Sequence, residues 1–179
     1  MKKTVLVLSL IAFTSVLFAQ TKKTTSATVA FDATTAIDAL PKAENKTVIA
    51  EIDTKTGQIG FEAAVKNFTF TNPTIQAHFN EERWLSSDKF PAFSFMGKIS
   101  DVTKYNFSKN GVYNVTVTGQ LTVKDKTNNV TTPATIEVKN GTLVANASFT
   151  IVLADYGIQV GTAGKIAGEP KITVSAELK

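Results

Sequence analysis

From Ser26 to the C-terminus, apolar and polar side chains alternate with a period of two. In "YNVTVTGQLTVK", Tyr113, Val115, Val117, Gly119, Leu121 and Val123 share one parity; Asn114, Thr116, Thr118, Gln120, Thr122 and Lys124 share the other. "TLVANASFTIVLA" repeats the pattern with Leu143, Ala145, Ala147, Phe149, Ile151 and Leu153. Successive side chains on a strand point to opposite faces, so each run predicts a strand with one dry and one wet face. Eight strands are predicted, over about 27–32, 47–53, 58–70, 91–102, 111–124, 130–139, 142–154 and 170–178. Their connections are mostly short, which predicts antiparallel pairing.

The turns carry matching chemistry. "KNG" stands at Lys109–Gly111 and again at Lys139–Gly141, each between alternating runs. Asn-Gly accepts positive φ at both centres of a type I′ turn, so both sites predict tight hairpins. "DTKTGQ", Asp53 to Gln58, predicts a slightly longer one. Two stretches break the alternation. In "TNPTIQAHFNEERWLSSDKFP", Asn72 and Pro73 form an N-cap and first-turn pair, predicting one or two short helices that end before Pro91. "GIQVGTAGKIAGEP", Gly157 to Pro170, predicts a glycine-rich connection.

Eight antiparallel strands with one dry face stack as a sandwich or close as a barrel, and alternation does not separate the two. A membrane barrel would put its apolar face outward. The wet faces here carry Thr, Asn, Lys and Gln without aromatic girdles, and the chain finishes "SAELK". The pattern favours an all-β, soluble, eight-stranded antiparallel barrel with a dry interior and one or two short helices between strands.

The first residues do not belong to that pattern. "MKK" is a basic start, "TVLVLSLIAFTSVLF" is apolar, and Ala19 is small. This predicts a signal peptide over residues 1–20, cleaved near Ala19/Gln20. The apolar run of about 15 residues is short of the roughly 20 needed to cross a bilayer, so no stable membrane insertion is expected. The mature chain would be periplasmic or secreted. Residues 21–26, "TKKTTS", read as a disordered polar leader. One domain is expected over 27–179.

The chain has 179 residues and no cysteine, so an exported product relies on its core alone. Setting aside Lys2 and Lys3 leaves 17 basic side chains against 15 acidic ones, a formal +2. That charge points to no nucleic acid.

His78 is the one histidine and invites a catalytic reading. Zinc needs three or four Cys, His or carboxylate ligands, and Glu81 and Glu82 beside one His do not reproduce a metalloprotease helix. No strained Ser elbow is visible to pair with it. The plainer reading is a polar helix-end residue. No catalytic residue, metal or cofactor is assigned. Seven N-x-[ST] sequons, at Asn45, Asn67, Asn106, Asn114, Asn129, Asn140 and Asn146, read as by-products of an outward strand face rich in Asn, Thr and Ser. The dry face collects Phe61, Ala63, Val65, Phe93, Phe95, Val115, Val117, Leu121, Phe149, Ile151 and Leu153. Small residues on it, Ala63, Gly97, Gly119, Ala145 and Ala147, would thin the packing and leave room for a ligand.

The order of three motifs resembles the YceI-like family of polyisoprenoid-binding or lipid-binding proteins. "HFNEERWLSSDKFPAFSFMGKI" is similar to that family's helix leading into a Tyr/Phe-Pro strand start. "VTVTGQLTVKDKTNNVTTPATIEV" resembles its Gly-x-Leu-Thr strand, turn and return strand. "FTIVLADYGI" resembles its late Asp-Tyr/Phe-Gly-Ile element. The family's Trp-x-x-Asp opening and later His-Ser are absent, and its His-Gly turn is here "VKDKTNNV". The resemblance implies a lipocalin-like barrel, exported and non-enzymatic, around a long isoprenoid or lipid chain. The eleven dry-face residues named above would line it. His78, Phe79, Asn80, Arg83 and Trp84 would close one end or meet a headgroup. The protein would be a monomer or homodimer. The alternative is an exported structural or stress-response barrel filled by its own side chains.

Overall fold

The computed structural model describes residues 20–179, so the predicted signal peptide, Gln20 apart, lies outside the described residues. Strands β1 (Thr21–Asp32), β2 (Lys42–Asp53), β3 (Gln58–Ala64) and β4 (Thr69–Phe70) precede helix α1 (Pro73–Asn80). Strands β5 (Ala92–Ile99), β6 (Gly111–Val123), β7 (Lys126–Lys139), β8 (Thr142–Thr150) and β9 (Lys171–Leu178) follow it. The ladder runs β1-β9-β8-β7-β6-β5-β3-β2, and β2 pairs back onto β1. All pairings are antiparallel. The eight long strands therefore close as a lipocalin-like barrel, while β4 adds two residues to β2 at one end.

The alternation sorts as its parity requires. On β6, Val115, Val117 and Val123 are buried while Asn114, Thr116, Thr118 and Gln120 are exposed. Apolar side chains point inward. The two-residue hairpin at Asn140–Gly141 has φ of 51° and 80°, as a type I′ turn needs. Helix α1 starts as its sequence dictates: Asn72 Oδ1 accepts from the backbone N–H of Thr74 and Ile75, with Pro73 in the first turn.

Several expectations are corrected. Residues 21–26 are not a disordered leader. They form the first half of β1, pairing Thr21 with Asp53 and Thr24 with Ala50. Their side chains carry no dry face, so periodicity is silent; what holds them is the open edge of β2 and the C-terminus, where Lys23 and Lys179 exchange backbone hydrogen bonds. Strand β3 stops at Ala64, and Val65–Asn67 is a 3-10 turn. The first "KNG" closes no hairpin, because β5 ends at Ile99 and residues 100–110 make a longer loop. There Asn110 Oδ1 accepts the backbone N–H of Asn140. Strand β8 ends at Thr150, and Leu153–Tyr156 is a 3-10 turn. Asn45 does not face outward. It is fully buried, donates from Nδ2 to the carbonyl of Ala64 at 2.9 Å, and accepts from Thr47 N–H and Oγ1.

The two ends of the barrel differ. One gathers the 33–41 loop, the 65–91 excursion with α1, the β6–β7 hairpin and the 151–170 connection. At the other, the 100–110 loop brings Tyr105 and Phe107 onto Tyr113, with ring centroids 5.2–6.3 Å apart.

Candidate functional site

Inside the barrel lies a cavity of about 160 Å³, walled almost wholly by carbon. Of the eleven residues predicted for the interior, Phe61, Ala63, Phe93, Phe95, Val117, Leu121, Phe149, Ile151 and Leu153 line it. Val65 and Val115 are buried but do not reach it. Val65 sits in the 3-10 turn beyond β3.

Of the small residues expected to leave room, Ala63, Ala145 and Ala147 line the cavity, whereas the two glycines do not. Gly97 and Gly119 face each other across β5 and β6, and the ring of Phe95 lies over both. A Cβ at Gly119 would stand 2.5 Å from Phe95 Cζ and 2.5 Å from the carbonyl oxygen of Met96. The glycine pair seats an aromatic ring and lets two backbones approach; it does not empty the interior.

At the helix-bearing end, a second cavity of about 440 Å³ forms a vestibule. Its walls come from α1 and the segment after it (Ile75, His78, Arg83), from the 33–41 loop (Asp38, Pro41) and from the late connection (Gln159, Lys165). Phe31, Phe79 and Trp84 line both spaces and so form the partition between them. Phe79 is the centre of that wall: its ring lies 5.9 Å from Phe31, 4.9 Å from Phe70 and 6.2 Å from Trp84.

The polar groups predicted here separate. His78 and Arg83 face the vestibule. Glu81 gathers both, with Arg83 Nε at 2.7 Å and His78 Nε2 at 3.9 Å. Asn80 lines neither space; its Nδ2 donates to the carbonyl of Gln76, and its Oδ1 is buried without a partner. It holds the end of α1. In the 3-10 turn after β8, burial pushes the Tyr156 phenol above its usual range. Among the described residues no group of His, Asp and Glu is arranged to hold a metal.

Phe31, Leu85, Ile172 and Val174, outside the eleven predicted interior residues, also line the cavity. Parity with neighbouring apolar positions marks Phe31, Ile172 and Val174. Leu85, in an irregular segment, has no such signal.

Known structures share this architecture. A polyisoprenoid binding domain from Saccharophagus degradans, implicated in plant cell wall breakdown, superposes with a TM-score of 0.74 at 9% identity, covering 89% of this chain and 98% of its own. BcnA of Burkholderia cenocepacia gives 0.69 at 17% identity, covering 86% and 96%. A YCEI protein of Campylobacter jejuni gives 0.53 at 16% identity, covering 74% and 80%. No curated protein sequence matches the chain. The sequence model of the YceI-like domain matches residues 9–178, nearly the full length, and this chain therefore belongs to the YceI-like domain family.

Proposed function

We propose that the chain is an exported, non-catalytic carrier or sequestering protein for an amphiphile with a long apolar tail: a polyisoprenoid, an isoprenoid quinone or a fatty-acyl compound. The observation that carries this reading is the carbon-walled cavity inside the barrel, separated by three aromatic side chains from a polar-rimmed vestibule. The polyisoprenoid-binding domain of the same fold supports it. In this reading Phe61, Phe93, Phe95, Val117, Leu121, Phe149, Ile151 and Leu153 contact the tail. His78 and Arg83 meet the headgroup. Each buried methylene contributes about 0.8 kcal/mol, so few polar contacts are needed.

The cavity is comparable to an engineered one of about 150 Å³ that takes up benzene. A longer tail must displace the partition and occupy the vestibule as well. That small volume is also what favours the second reading, a self-filled structural barrel, because ligand pockets usually span about 300–1,000 Å³. Mass spectrometry of organic extracts of the protein purified from its native host separates the two. A stoichiometric prenyl or acyl compound supports the carrier; extracts without one, together with no uptake of prenyl alcohols by the purified protein, support the filled barrel.

A further inference from the structure

Trp84 stands in the wall between cavity and vestibule, on an irregular segment between α1 and β5. The segment is tied down on its own side by Trp84 N–H to the Glu81 carbonyl and Ser87 N–H to the Asn80 carbonyl. From a neighbouring hairpin comes a different tie: Lys124 Nζ donates to the backbone carbonyl of Trp84 at 2.9 Å, in a part-buried setting.

Lys124 is an unexpected residue for its position. Val123 pairs with Lys126, so Lys124 and Asp125 are the whole loop between β6 and β7. Lys124 has φ of 57°, in the left-handed region where Gly and Asn are at ease and a long side chain costs energy. Ser86, two residues after Trp84, is left-handed too, with φ of 49°. The two-residue loop itself demands a positive φ at Lys124, which leaves its choice of a long side chain to be explained by what that side chain reaches. The contact visible for Lys124 is the Trp84 carbonyl.

We infer that Lys124 is a positioning residue, a latch that holds Trp84 across the passage between cavity and vestibule and so sets the tail length the closed barrel accepts. The latch stands on geometry alone; the length-setting role rests on the carrier reading. An ammonium bonded to a carbonyl is stronger than a neutral hydrogen bond. Its loss should raise the population of the opened segment by on the order of tenfold.

Trp84 is the sole tryptophan of the chain, so its fluorescence reports the partition directly. The test compares the wild-type mature protein with Lys124→Asn and Lys124→Arg, without ligand. Asn suits left-handed backbone, so the hairpin itself is not harmed, and a thermal melt checks this. Lys124→Asn should red-shift Trp84 emission and raise its quenching by acrylamide, and Lys124→Arg should restore both. Unchanged emission and quenching in Lys124→Asn would overturn the latch. In the second arm, prenyl alcohols of increasing length are titrated. Wild-type affinity should stop rising at a shorter chain than that of Lys124→Asn. Coincident plateaus would overturn the length-setting role. Wild-type protein that binds no alcohol would overturn the carrier reading and that role together, leaving the quenching arm to decide the latch.

Discussion

At Gly119 a single methyl group has nowhere to go. Its Cβ would meet Met96 O, Phe95 Cζ and Gly97 Cα at 2.5–2.6 Å, two of them backbone atoms that cannot swing aside. Gly119→Ala should therefore cost about 1–3 kcal/mol or more, read from urea melts. Gly161 is the control: nothing lies within 4 Å of its Cβ position, and Gly161→Ala should be neutral or stabilise by a few tenths of a kcal/mol. A second residue-scale expectation concerns acid. Asp53 accepts from the backbone N–H groups of Thr56 and Lys55, and Asp32 from the hydroxyl and N–H of Thr34; these bonds hold both carboxyls below the usual range. The unfolded chain therefore takes up protons first. This contribution is fully present above the unfolded value of about 4 and is lost as pH falls through the lower folded values. Urea melts at pH 7, 5 and 3 should show stability falling mainly in the last step, and Asp32→Asn/Asp53→Asn should flatten that fall.

At the scale of the strand, the question is which side of each ribbon is dry. Val117 is buried, Phe149 lines the cavity, and Thr118 and Thr150 are exposed. Val117→Asp should unfold the protein or abolish tail uptake, because a carboxylate would face carbon without a partner. Thr118→Asp and Thr150→Asp should change stability by well under about 1 kcal/mol. Collapse of the threonine variants with survival of Val117→Asp would invert the faces. The first half of β1 makes the opposite kind of claim, since its hold is made by pairing instead of burial. Deleting residues 21–26 should bare the edge of β2 from Ala50 to Asp53, lower the melting temperature and promote association of chains along that edge. Size-exclusion chromatography and a thermal melt would read both effects. Strand β7 shows how one residue ends a ladder. Pro133 has no N–H to donate, and pairing of β7 with β8 stops at Ala134. The turn at Leu153–Tyr156 closes the gap there, with Asn128 Nδ2 donating to the Asp155 carbonyl.

For the molecule as a whole, a tail held only by the closed barrel stabilises it by mass action. At a hundred times Kd, a bound prenyl alcohol should add about 2.7 kcal/mol, visible as a concentration-dependent rise in melting temperature. A self-filled barrel would show none. What the sequence determined by itself is what depends on local chemistry. Period-two alternation marked the strands and their dry face, Asn-Gly closed the β7–β8 hairpin, and Asn72-Pro73 started α1. Motif order placed the chain beside its family. Alternation left barrel and sandwich equal, because both bury one face of each strand. Closure was decided by β1 meeting β2 on one side and β9 on the other. The strand at 21–26 and the buried Asn45 were settled by partners distant in sequence, whose hydrogen bonds leave no periodic trace. The partition of Phe31, Phe79 and Trp84 likewise draws on three separate segments, and the lysine that secures it is about forty residues from the carbonyl it holds. Hydrophobic pattern is written along the chain; which groups then meet across space is a property of the closed barrel.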